Sequence, residues 1–124
     1  MGVTQTIIDA IKVASLAEFD TATHIGIGDD ATAENPAHTD LLGPILRNAF
    51  DEAAVKVEAL GTYDFSVAVG LTEGNGNTIE ECGLFSASSG GTMFLRKLLT
   101  TPIPKTATKE VSIGIKVTTT VTNS

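Results

Sequence analysis

The chain has 124 residues, 42% of them apolar, with eight basic and fifteen acidic side chains giving a net charge of −7. That length suits one domain with a proper core, and the acidic balance disfavours nucleic-acid phosphate as a partner. The single cysteine, Cys82, rules out an intramolecular disulfide, and no CxxC or His/Cys cluster points to zinc.

Residues 4–19 read as a short helix. Ile7, Ile8, Ile11, Ala14 and Ser15 share one face, Asp9 and Lys12 are left to water, Thr4 is the N-cap, and the end falls near Asp20. Its apolar face needs a surface to pack on, either the domain's own core or a neighbouring subunit. The N-terminus lacks a basic region followed by an apolar core, so no signal peptide is expected. The apolar runs are too short to insert in a bilayer.

Residues 23–28 follow as a thin strand in which Gly26 and Gly28 imply close backbone approach or a bulge. Residues 29–36 have loop composition. Asp29 and Asp30 lack the alternate oxygen spacing of a calcium loop, so a solvated turn is the plainer reading. His24 and His38 read as surface or strand-end residues. Gly43 and Pro44 argue against one long helix over residues 41–50, which read as a short helical or irregular segment. Its cation, Arg47, fits a structural ion pair better than a ligand role.

From residue 53 the period changes to two. Val55, Val57 and Ala59 alternate with Lys56 and Glu58. After a turn at Gly61, Phe65, Val67, Val69 and Leu71 alternate with Ser66, Ala68, Gly70 and Thr72. Residues 74–77 (Gly-Asn-Gly-Asn) are a turn signal. The last strand sets Val111, Ile113, Ile115, Val117 and Val121 against Ser112, Lys116, Thr118 and Thr120.

Between them, residues 78–105 have hairpin grammar: an arm at 80–85, a small-residue turn at 86–91, and an arm from 92 to about 99, ahead of Pro102 and Pro104. Gly83, Gly90 and Gly91 shape strand and turn, while Leu84, Phe85, Phe94 and Leu95 supply the apolar body. Cys82 is more simply a small core hydrophobe than a nucleophile. Glu80 and Glu81 are adjacent, so in a strand they point to opposite faces and form no glycosidase-type pair. One of them is expected to point inward or to a neighbouring subunit, with Arg96 or Lys97 as its partner.

No GxxxxGK[ST], HExxH or GxSxG occurs, and Gly26-Ile27-Gly28 lacks the third glycine of a dinucleotide site. Aromatics are 5% with no Trp, too few for a stacking platform. No catalytic, metal or cofactor-binding residue can be named, and the expectation is a non-enzymatic protein without cofactor. The expected fold is mainly β: one domain over residues 1–124, with an N-terminal helix (1–20) and a β domain (23–124). Its roughly six strands would form an antiparallel β-sandwich or a partly closed barrel.

The order of these pieces resembles a family of small structural proteins of tailed bacteriophages and archaeal tailed viruses. The matching pieces are the short N-terminal helix, Ile25-Gly26-Ile27-Gly28-Asp29, Thr39-Asp40-Leu41, Glu80-Glu81-Cys82-Gly83-Leu84-Phe85, the run from Ser88 through Gly90-Gly91-Thr92-Met93 to Arg96, Lys105-Thr106 and the final alternating strand. The most specific part is E-x-G-[LV]-F, then S-G-G-T-M, then R. Cys82 stands where the family tends to carry an aromatic.

The resemblance implies a structural and assembly signature at Gly26, Gly28, Glu80, Glu81, Gly83, Leu84, Phe85, Gly90, Gly91 and Arg96. It also implies a virion component of the tail, fibre or head surface (a capsid decoration protein in one form), made in the host cytoplasm. Such a component associates with itself, first of all as a trimer, and with other virion proteins. The alternative is a module that binds a host receptor or carbohydrate through the loops 29–35 and 72–78.

Overall fold

The computed structural model describes residues 16–51, 53–57 and 61–118. Seven strands form two antiparallel sheets. One sheet has the order β2 (Pro44–Ala49), β1 (His24–Gly28), β5 (Thr78–Phe85), β6 (Met93–Pro104). The other has the order β3 (Val55–Val57), β4 (Thr62–Val69), β7 (Val111–Thr118). The sheets do not close into a barrel.

The period-two pattern explains the pairing. In the three-stranded sheet Phe65 lies opposite Ile115, Val67 opposite Ile113 and Val69 opposite Val111, all buried on one face. In the four-stranded sheet Ile25 faces Leu84 and Ile27 faces Cys82. These residues, with Leu16, Tyr63 and Ile79, form one apolar core fed by both sheets. Each fully buried aliphatic side chain contributes about 1.5–3 kcal/mol to holding the sheets together. The Tyr63 and Phe65 rings stack at 4.5 Å, and Phe50 packs on Phe65 at 5.3 Å.

Several expectations need correction. Most of the helix expected over residues 4–19 lies outside the described residues. Leu16 and Ala17 are helical, the chain turns after them, Phe19 N–H to Leu16 O and Asp20 N–H to Ala17 O, and no helix stands among the described elements. Residues 44–49, expected to be helical or irregular, are strand β2, which raises the strand count to seven. A proline at the first residue of a strand costs no ladder bond, so Pro44 begins β2 rather than ending a helix.

The second hairpin arm runs past Leu99 through Pro102 to Pro104. It can do so because β6 is an edge strand, and a register shift opposite Glu80 absorbs the irregularity. β4 stops at Val69, leaving Leu71 half exposed in the following turn. On β3 the faces are reversed. Lys56 pairs with core-facing Tyr63, so Val55 and Val57 point outward and are 57% and 36% exposed.

Candidate functional site

The second face of the four-stranded sheet is covered by the segment 29–43, and most of the signature residues meet beneath it. Gly26 and Gly83 are direct cross-strand partners on β1 and β5. The Phe85 ring lies across both. A Cβ on Gly26 would stand 2.7 Å from Phe85 Cε2, and one on Gly83 would stand 2.9 Å from the same atom. Leu41, from the covering segment, closes the same space at 3.3 and 3.1 Å. The glycines are there because the ring and Leu41 occupy the volume a side chain would need.

Arg47, opposite Gly26 on β2, completes this stack. Its guanidinium carbon is 3.6 Å from the centroid of the Phe85 ring. Nη1 donates to the carbonyls of Ala87 (3.0 Å) and Gly90 (2.8 Å), and Nη2 reaches Asp40 at 3.4 Å. One cation thus caps the buried ring and fastens the hairpin turn. Gly90 and Gly91, at φ +60° and +68°, give that turn a conformation that Cβ-bearing residues avoid.

Next to this stack sits a buried ion pair. Glu81 is fully buried, and a Cβ on its partner Gly28 would meet its carboxylate. Glu81 Oε1 accepts from Arg96 Nε (2.8 Å) and Leu42 N–H (3.0 Å). Oε2 accepts from Gly43 N–H (2.7 Å) and Asp30 N–H (3.0 Å). Four donors meet the roughly four lone-pair sites of a carboxylate. Arg96 directs two further donors to the same segment, Nη1 to Thr32 O at 2.8 Å and Nη2 to Asp30 O at 3.2 Å. The pair clamps both ends of segment 29–43 to the sheet.

The flanking groups are specialised in the same way. Asp30 lies 3.8 Å from Arg96. Hydrogen bonds from the Thr32 hydroxyl and then its N–H hold the Asp30 carboxyl below its ordinary value. Burial pushes the Cys82 thiol up to about 11, so Cys82 is a packed thiol rather than a thiolate.

A second internal cation was missed in the sequence. Lys105 is 1% exposed, and its ammonium donates to Asn75 Oδ1 (2.7 Å) and Thr106 O (2.9 Å). Its backbone also binds the turn, N–H to Asn77 O and C=O from Gly76 N–H. The loop 72–78 is therefore pinned from inside by a lysine.

Of the expected signature, the structure brings together Gly26, Gly28, Glu81, Gly83, Phe85 and Arg96, with Gly90 and Gly91 tied in through Arg47. Leu84 lies on the opposite face, in the core. Glu80 is half-buried and is not among the Glu81 partners. Lys97, the other candidate cation, stands 3.8 Å from Glu34 at the surface. A cleft of about 430 Å³ lies between residues 34–38 and the start of β6 and is lined by Glu34, His38 and Phe94 among others. Among the described residues no group of three or more His, Cys, Asp or Glu is placed to hold a metal ion. Among those residues no helix is long and apolar enough to cross a membrane.

No family model matches the chain, and no curated protein matches it.

Proposed function

We propose that the chain is a non-enzymatic structural subunit of a tailed-virus particle, in the tail or fibre apparatus or on the head surface. In this reading it is a β-sandwich that associates with copies of itself and with other virion proteins. The observation that carries the reading is the convergence beneath segment 29–43. Most of the signature residues that the resemblance implies form one static device, with the polar groups of Glu81 consumed in holding two loops in place. A rigid covering on a small sheet suits a subunit that offers a fixed surface to its neighbours. The test is mass spectrometry of purified particles with copy counting. Hundreds of copies indicate a head decoration role and a few indicate the tail; absence from particles overturns the reading.

A second reading, a host-receptor or carbohydrate-binding module, draws on the cleft beside residues 34–38, where His38 Nδ1 is a buried nitrogen without a hydrogen-bond partner among the described residues. Binding of the multivalent recombinant protein to host cells, abolished by substitution of Glu34 and His38, supports it. No binding at high valency removes it.

A further inference from the structure

The two sheets have four edges, and three of them are blunted. β2 begins on Pro44, and its pairing with β1 shifts register between Ile27 and Gly28. β3 has three described residues. β6 carries Pro102 and Pro104 and a register shift, and its Leu98 N–H is taken by the Glu34 carboxylate at 3.0 Å. These are common devices by which a sheet avoids pairing with another chain.

β7 has none of them. It is eight residues long, pairs with β4 over its whole length without a register shift, contains no proline, and has no described strand on its other side. Its outward face is Ser112, Gly114, Lys116 and Thr118, small or flexible and exposed.

A second observation lies along the same edge. A slot of about 280 Å³ opens between β7 and β6, lined by Gly114, Ile115 and Lys116 on one side and Cys82, Leu95 and Lys97 on the other. Among the described residues no strand lies beside β7 along this slot, although Cys82 and Ile115 in its lining are themselves buried. A strand added to β7 would carry its own inward side chains over that slot.

We infer that β7 is a self-pairing edge, through which two copies of this chain join their three-stranded sheets into one continuous antiparallel sheet. Pairing by identical edges is two-fold and isologous. Lys116 is the only charged residue within β7, and Glu110 stands exposed immediately before the strand. Centring the two-fold on Ile113 sets Ile115 against the partner's Val111 and Lys116 against the partner's Glu110. Lys116 already lies opposite Asp64 of β4, the partner's Glu110 flanks it from the other side in both halves, and the apolar residues of each β7 close the slots. This deepens the self-association in the proposed function, but with two-fold rather than three-fold symmetry.

The test uses the full chain. Sedimentation should show a concentration-dependent dimer, with β7 amides protected from exchange in the dimer and less so on dilution. Glu110→Lys and Lys116→Glu, both exposed substitutions, should each raise the dimer dissociation constant about tenfold by setting like charges across the seam. The double variant E110K/K116E should return it to within about threefold of the original, an outcome that misfolding of either single variant cannot imitate. Three results overturn the inference: a monomer with protected β7 amides, whose edge the chain itself then covers; a trimer or other oligomer whose β7 amides exchange freely; or a charge swap that does not restore pairing. Incorporation into particles is a separate readout, so failure here is distinguishable from failure of the virion reading.

Discussion

Gly26 and Gly83 face each other across β1 and β5, and the ring of Phe85 rests on both. The ring has no room to retreat, because Arg47 stacks on it and Leu41 closes the same space. Gly26→Ala should therefore destabilise by about 1–3 kcal/mol through overpacking. Adding Phe85→Leu should recover part of that loss. Phe85 is fully buried, and Phe85→Ala alone should cost about 3–5 kcal/mol. Urea unfolding midpoints decide all three, and an unchanged midpoint for Gly26→Ala would contradict the stack.

The Glu81–Arg96 pair should behave as a buried pair does. Glu81→Ala strands a buried guanidinium together with three backbone N–H groups, and should cost about 3–5 kcal/mol. Exchange of the Asp30, Leu42 and Gly43 amides should accelerate in parallel. Glu81→Gln, which keeps one acceptor oxygen, should cost less. Equal losses for the two variants would mean that the charge, rather than the four-donor geometry, holds the segment.

Lys105 gives a different test, since its ammonium meets neutral oxygens. Lys105→Met keeps the aliphatic stem but leaves Asn75 Oδ1 and Thr106 O without their donor. A cost of about 1–3 kcal/mol is expected, with faster exchange of the Gly76 N–H confined to the loop. A variant as stable as the parent would show that the lysine is not what shapes the turn.

Acid should weaken the protein in part through Asp20. Hydrogen bonds from Lys56 and then Tyr63 hold its carboxyl below the ordinary value of 3.8. A carboxyl with a depressed folded value stabilises above its unfolded value, and that contribution disappears as pH falls through the folded one. The loss therefore begins as pH drops toward 3.8. Asp20→Asn should flatten the acid limb of the stability curve there and leave its shape above pH 6 unchanged. Thermal melts from pH 2 to 7 measure both.

β4 and β7 were legible because their apolar residues alternate without interruption, as at Phe65, Val67 and Val69 against Val111, Ile113 and Ile115. β2 was not. Gly43 and Pro44 read as a helix breaker, and the strand is only half-buried along its length, so Ile45, Arg47 and Asn48 show no clean period. The pairing of an inward glutamate with Arg96 or Lys97 was readable, and Arg96 is the residue used. The covering segment was not readable, because its backbone reaches Glu81 across 38 to 51 residues and leaves no local pattern. The role of Arg47 followed only once its segment was known to be a strand beside Gly26.

The reach of the Glu81 clamp has a consequence for how the chain is made. β1 sits between β2 and β5, so as the chain leaves the ribosome it gains one neighbour early and waits about fifty residues for the other. Until β5 arrives, β1 has a bare edge, and the N–H groups of Asp30, Leu42 and Gly43 have only water to bind. Arg96 arrives later still. The four-stranded sheet is thus finished from its C-terminal side, by contacts distant in sequence and slow to form, and a nascent chain stalled before residue 81 is the one most exposed to pairing with the wrong strand.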